Sequence, residues 1–434
     1  MEGNNNQETI NFEAGFEELL ADLSTQRRLV EVLDSAFLLH LGPQTHLYHQ
    51  EYQDIYEQFQ YEHVKRLVDV LENNEHLSRL SFPVNILNED TAVYLGQAVN
   101  RMTNLLELSL GERFRATDPM AHLVLSELAP EVSKLQTLRV EARLLASRDV
   151  ESYLRTSAAL QLVELNLCGA SMQEEAVAWL GNALRHSQNI QCLVLQSTTW
   201  QRLAIFLESI SDNPRIDRLD IFFDMRVGGD MLERHHAMLE CMHLLASNTA
   251  LQTLYISEPQ SELEPPRYQS ALADALRTNN SIRVLHMEGT INQDGINALS
   301  EALEVNTTVE SLTFPSVRHG SMTPFAERLG SMNGLKTVMF WGSQMLSSEE
   351  AEAIAEGLSQ NTRIWHLQFS YNARSPRLAE RIRYYLQVNG MGAHELVATA
   401  PVSLMPRVLA IADRRSLSML YTFINQRSDI FYYR

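Results

Sequence analysis

One recurring phrase constrains this chain more than any other property. An aliphatic residue, two residues, a second aliphatic, one residue and an apolar residue occur in that order eleven times. The copies start at Leu77, Leu105, Leu135, Leu162, Ile190, Ile216, Leu251, Ile282, Val309, Leu335 and Ile364. Successive starts lie 26 to 35 residues apart. A fixed period in this range marks a repeat architecture, in which no single unit buries a core and stacked units do.

Each period has two halves. In "VESLTF" (309–314), Leu312 and Phe314 alternate with Ser311 and Thr313, the period-two pattern of a strand with one covered face. Before the strand comes an eight-residue helical phrase with apolar residues at its first and fifth positions. Examples are "LADALRTN" (272–279), "LSEALEVN" (299–306) and "IAEGLSQN" (354–361). Small residues such as Ala183, Ala275 and Ala302 let this helix lie close to a sheet. Asparagine closes the phrase at Asn74, Asn213, Asn248, Asn279, Asn306 and Asn361. Because asparagine tolerates left-handed backbone, these positions are expected to be left-handed helix stops. The expected fold is therefore an α/β solenoid with about eleven parallel strands on the inside and helices outside. The alternation predicts that the face away from the helices meets water.

On these residues the chain resembles the leucine-rich-repeat proteins of the ribonuclease-inhibitor-like subfamily, over residues 60 to 371. The resemblance implies a horseshoe whose concave sheet binds other proteins. Members of that family usually place an asparagine three residues after the last apolar strand position. Here only Asn85 and Asn372 occupy it, so the turns after the strands are expected to be less uniform.

The ends differ from the middle. Residues 1–60 carry eleven Asp/Glu and two Arg, whereas residues 372–434 carry nine Arg and four Asp/Glu. The expected division is an acidic N-terminal cap over 1–60, a solenoid over 61–371 and a helical C-terminal cap over 372–434. Caps are expected because an open sheet exposes unpaired edges. "FEELLADL" (16–23) reads as an amphipathic helix, and "AFLLHL" (36–41) as an edge strand or helix end. "IRYYLQVNGMG" (382–392), "SLMPRVLAIAD" (403–413) and "LSMLYTFINQRSDIF" (417–431) read as further helices. This tail is similar to that of leucine-rich-repeat proteins of microalgae such as diatoms, which implies no activity.

Composition narrows function by exclusion. A formal charge of −19 is the wrong sign for a duplex nucleic-acid binder or for docking on anionic membranes. The start lacks the basic end and apolar run of a signal peptide. The three cysteines, Cys168, Cys192 and Cys241, read as free thiols of a reducing compartment, so a cytoplasmic location is expected. Sequons at Asn279 and Asn306 read as chance matches at turns.

Motifs for catalysis are missing: neither G-x-S-x-G nor a glycine-rich phosphate loop occurs. "ERHHAMLECMHLL" (233–245) gathers His235, His236, Cys241 and His243. However, Cys241 sits on the apolar helical position, and a helix sends these four side chains to different faces, so zinc is not expected. No catalytic residue, cofactor or metal is expected. The remaining candidate is the open face, whose later repeats carry Phe222, Tyr255, His286, Glu288, Met339, Trp341, His366 and Gln368. Aromatic anchors are what protein-binding hot spots use. In this reading Tyr255, Met339 and Trp341 are buried by a protein partner, while Asp220, His286 and Glu288 set its orientation. The two longest repeats add "FFDMRVGGD" (222–230) and "SEPQSELEPPRY" (257–268) beside the sheet. The expected function is a non-catalytic interaction scaffold. The alternative is a regulator of an enzyme, such as a small-GTPase activator built on the same repeat, though such activators carry an acidic tail and this tail is basic.

Overall fold

The computed structural model describes residues 12–25, 61–74, 77–82, 87–110, 120–128, 134–141, 162–168, 174–211, 213–223, 231–257, 268–319, 321–340, 345–368, 370–371 and 376–390. The chain divides into two compact units, Met1–Asp224 and Met225–Arg434.

In the first unit helices and strands alternate. Helix α1 (Phe12–Thr25) packs on α2 (Tyr61–Glu72). Then follow β1 (Arg79–Phe82), α3 (Glu89–Arg101), β2 (Glu107–Leu110), α4 (Met120–Glu127), β3 (Thr137–Glu141), β4 (Glu164–Cys168), α5 (Glu174–Arg185), β5 (Cys192–Thr198), α6 (Trp200–Ile210) and β6 (Arg218–Phe223). The second unit runs α7 (Met231–Ser247), β7 (Thr253–Ser257), α8 (Tyr268–Thr278), β8 (Val284–Glu288), β9 (Thr290–Asn292), α9 (Gln293–Val305), β10 (Ser311–Phe314), β11 (Ser316–His319), α10 (Thr323–Arg328), β12 (Thr337–Phe340), β13 (Met345–Leu346), α11 (Ser348–Gln360), β14 (His366–Gln368), β15 (Ser370–Tyr371) and α12 (Pro376–Gly390).

Eleven strands belong to one sheet, in sequence order: β1 to β6 in the first unit and β7, β8, β10, β12 and β14 in the second. Every strand pair within either unit is parallel. This is the expected leucine-rich-repeat type of α/β solenoid. Two small additional sheets, β9 with β11 and β13 with β15, pair the turns after the strands and were not foreseen.

The core is built in register. Leu80, Leu108, Leu138, Leu165, Leu193 and Leu219 form one column in the first unit. Leu254, Leu285, Leu312, Val338 and Leu367 form its counterpart in the second. All but Leu367, on the last strand, are buried. Burying a leucine contributes about 1.5–3 kcal/mol, and each column repeats that gain at every strand. Helices of neighbouring repeats approach closely where glycine permits it. A Cβ on Gly357 in α11 would lie 2.5 Å from the Ala326 carbonyl oxygen in α10.

The closing asparagines work differently from expectation. Asn306 has φ −76° and ψ 122°, and Asn361 has φ −85° and ψ 129°, both extended rather than left-handed. Their role is set by the side chain. Asn306 Nδ2 donates to the carbonyls of Leu276 (2.6 Å) and Asn279 (3.0 Å) in the preceding repeat. Its Oδ1 accepts from the amides of Thr308 and Val309, both at 2.9 Å. Asn279 and Asn361 repeat all four bonds with their own neighbours. Asn213 donates in the same way to Leu184 and Ser187. Asn389 of α12 extends the series, donating to the carbonyls of Asn361 and Ile364. These amides sew each helix end to the next strand entry, satisfying backbone groups that burial would otherwise strand. Both sequon asparagines, Asn279 and Asn306, are consumed in this way and buried.

Among the described residues no helix is long and apolar enough to cross a membrane. Asn85, Asn372, the segment 36–41, the tail segments 403–413 and 417–431, and most of both enlarged loops lie outside the described residues.

Candidate functional site: the open face of the second unit

The strands point alternate side chains away from the helices, so register decides which of them meet. In the second unit one such column runs Tyr255, His286, Thr313, Met339 and Gln368 across β7, β8, β10, β12 and β14. Tyr255 and His286 stack, with ring centroids 4.4 Å apart and planes inclined by 16°. Glu288, two residues along the same strand, places Oε1 3.6 Å from His286 Nε2. Tyr255, His286, Glu288 and Met339 are each partly exposed. Gln368 and His366 are exposed on β14, the last strand in the order.

Thr313 departs from expectation. It lies on the open face yet is only 4% exposed, because the larger His286 and Met339 flank it on either side in register. A short side chain between two long ones is covered by them. The face is therefore a packed strip of ring, imidazole, hydroxyl and thioether rather than a row of separate residues.

A charged border runs beside this strip, at the residues just before the strands. Glu310 bridges Arg283 at 3.6 Å and Lys336 at 2.7 Å. The next residue in that row is Trp365, 49% exposed and tilted against His366 with centroids 5.8 Å apart. Sequence reasoning assigned it no role. The available signal was its position directly after Ile364, the first aliphatic of the recurring phrase, in the row occupied by Arg283, Glu310 and Lys336.

The corresponding face of the first unit is closed by charge. Glu107 lies 3.3 Å from both Arg79 and Arg139, and Arg139 reaches Glu164 at 3.8 Å. Arg218 holds Asp220 through two hydrogen bonds of 3.0 and 2.7 Å. Asp220 is buried, so its carboxylate is already engaged by its own strand. Phe222 belongs to this unit, beside Gln196 in register, and is partly exposed. The expected grouping thus resolves into Tyr255, His286, Glu288, Met339, His366 and Gln368 on one unit, with Phe222 and Asp220 on the other. Trp341 lies outside the described residues.

Two of the thiols sit where ionisation is disfavoured. Burial, then the charges of Glu164 and Asp220, push the Cys192 thiol up to about 12 against the opposing pull of Arg218. Burial pushes Cys241 up as well, and its side chain faces the core as expected. Among the described residues no three His, Cys, Asp or Glu side chains converge into a metal-holding group.

Fold and face together define a class: an α/β solenoid of leucine-rich-repeat type with an amphipathic strip on its open sheet. No family model matches the chain, and no curated protein matches it. Among solved structures, the leiomodin-1 actin-binding site 2 is similar over 42% of this chain and 86% of its own length. The identity is 17% and the TM-score 0.28, values that assign neither function nor partner.

Proposed function

We propose that this chain is a non-catalytic, cytoplasmic interaction scaffold of the ribonuclease-inhibitor-like kind, seating a partner protein on the open face of its second unit. The observation that carries the reading is the stacked Tyr255–His286 pair continuing through Thr313 to Met339. Pre-packed side chains lose little conformational freedom when a partner covers them. Aromatic residues in the centre with a charged border is the distribution of protein interfaces. His366, Gln368 and Trp341 extend the strip on sequence grounds, and Phe222 is a separate candidate contact on the first unit. Glu288 orients the partner through His286. A negative net charge favours a partner with basic groups over nucleic acid.

The test places a photo-crosslinking amino acid at His366 of the full chain, in an extract of cells that express it. A discrete adduct is expected, absent when the crosslinker sits at Glu301 on the helical side. Tyr255→Ala with Met339→Ala is expected to weaken capture about 30-fold, the equivalent of one hot-spot anchor. An adduct that survives this double variant, with circular dichroism unchanged, rejects the surface. Unfolding of the variant also rejects it, because the residues then serve the core.

A further inference from the structure

Helix α7 carries a second surface that the open face does not use. Its inward side is made of Ala237, Met238, Cys241, Met242 and Leu245, all buried. Its outward side presents Leu232, His236, Leu239 and His243, all exposed. The leucines stand 74% and 45% exposed, Leu232 in the first turn and Leu239 at the middle of the longest described helix. Outward helical positions elsewhere in this unit include the charged Asp274 and Arg277 on α8, Glu301 on α9 and Glu349, Glu352 and Glu356 on α11; exposed apolar residues there stand singly, Val305 at the end of α9 and Tyr384 on α12.

The four outward residues are separated by four, three and four positions, the spacing of a seam that packs against another helix. At 1.5 Å per residue the seam is about 16 Å long, three turns. Glu233 and Glu240 each follow one of the leucines and line the same edge of the seam, both exposed. The opposite edge carries His235. Repeat packing explains none of this, because the repeat needs only the inward side.

We propose that the outward face of α7 docks an amphipathic helix of another protein, with an apolar seam and Lys or Arg along the edge that meets Glu233 and Glu240. Leu232 and Leu239 supply the apolar contact, and His236 and His243 space the two layers. Charge selects this occupant over a second copy of the chain, since a parallel self-pair would offer the Glu233 and Glu240 edge only the single imidazole of His235. An antiparallel self-pair would set the Glu233 and Glu240 edge against itself, where like charges repel.

The test uses the full chain and three fluorescent helical peptides: a leucine seam with lysine edges, the same seam with glutamate edges, and a scramble of the lysine peptide. Anisotropy is read at physiological salt. The lysine-edged peptide is expected to bind at least tenfold tighter than the other two. Leu232→Glu with Leu239→Glu is expected to reduce that binding at least tenfold. Glu233→Lys with Glu240→Lys, which touches no buried residue, is expected to transfer the preference to the glutamate-edged peptide. Equal binding of the scramble means generic attraction to an acidic chain and overturns the proposal, as does a preference unmoved by the lysine pair. A dimer in sedimentation that the leucine variant dissolves makes a second copy the occupant and also overturns it.

Discussion

Asn306→Ala tests whether the buried amides hold the repeats together. The side chain is 5% exposed and makes four hydrogen bonds to backbone. Truncation leaves two carbonyls, of Leu276 and Asn279, and two amides, of Thr308 and Val309, without that partner. A buried polar group left unsatisfied costs about 1–3 kcal/mol. Taking the low end for each, because water enters the vacated space, the loss is about 4 kcal/mol. That is a large part of the 5–15 kcal/mol typical of a domain. Asn306→Asp keeps the accepting half and turns a carboxylate toward two carbonyl oxygens, so it is expected to cost at least as much at neutral pH. The control is Asn333→Ala, whose amide donates to the Ser331 carbonyl at an exposed site and is expected to cost under about 0.5 kcal/mol. Urea unfolding followed by circular dichroism measures all three. If Asn306→Ala costs no more than the control, the amides are decoration and stacking rests on the leucine columns alone.

Three further outcomes follow from the same geometry. Glu350 shares a capping box with Ser347 and accepts from the Met322 amide and the Ser321 hydroxyl; burial raises its pKa, but these hydrogen bonds together hold it below the ordinary carboxylate value. A depressed folded pKa adds stability that is present above the unfolded value and lost as pH falls through the folded one, so Glu350→Gln should flatten the acid limb of the unfolding curve and cost about 1 kcal/mol at pH 7. Gly357→Ala should destabilise by about 1–3 kcal/mol despite the better helix former, because the new Cβ meets the Ala326 carbonyl; a higher thermal midpoint would contradict it. Cys192 and Cys241, their thiols pushed up by burial, should resist alkylation at pH 8 in the native protein and react on unfolding, read by peptide mass mapping.

The repeat was legible because burial imposes a short, local rule. Leu312 and Phe314 must alternate with Ser311 and Thr313 in any strand covered on one side, and that rule is written into consecutive residues. Helix phrases such as "LSEALEVN" are local for the same reason. Asn306 was visible as a recurring position, but its function was not. Its carbonyl partners lie 27 and 30 residues earlier, and only stacking brings them within reach. The candidate strip was legible in composition, through Tyr255, His286 and Met339, and hidden in arrangement. Burial of Thr313 depends on the bulk of His286 and Met339 in adjacent strands. Asp220 reads in sequence as an orienting group, while in the fold Arg218 on its own strand holds it. Trp365 was passed over because its row, just before each strand, acquires meaning only when Arg283, Glu310 and Lys336 line up beside it.

The same division holds for α7. Its residues alternate between core and surface in a way the sequence states plainly once the helix is placed, yet "ERHHAMLECMHLL" reads first as a cluster of ligands. The sequence by itself determined the period, the order of strand and helix and the leucine columns, since each follows from covering one face of a local element. Tertiary structure alone decided which carbonyls the asparagines bind, which outward residues are shielded and which leucines remain exposed. Those outcomes depend on what the neighbouring repeat places alongside, one full period away in the chain.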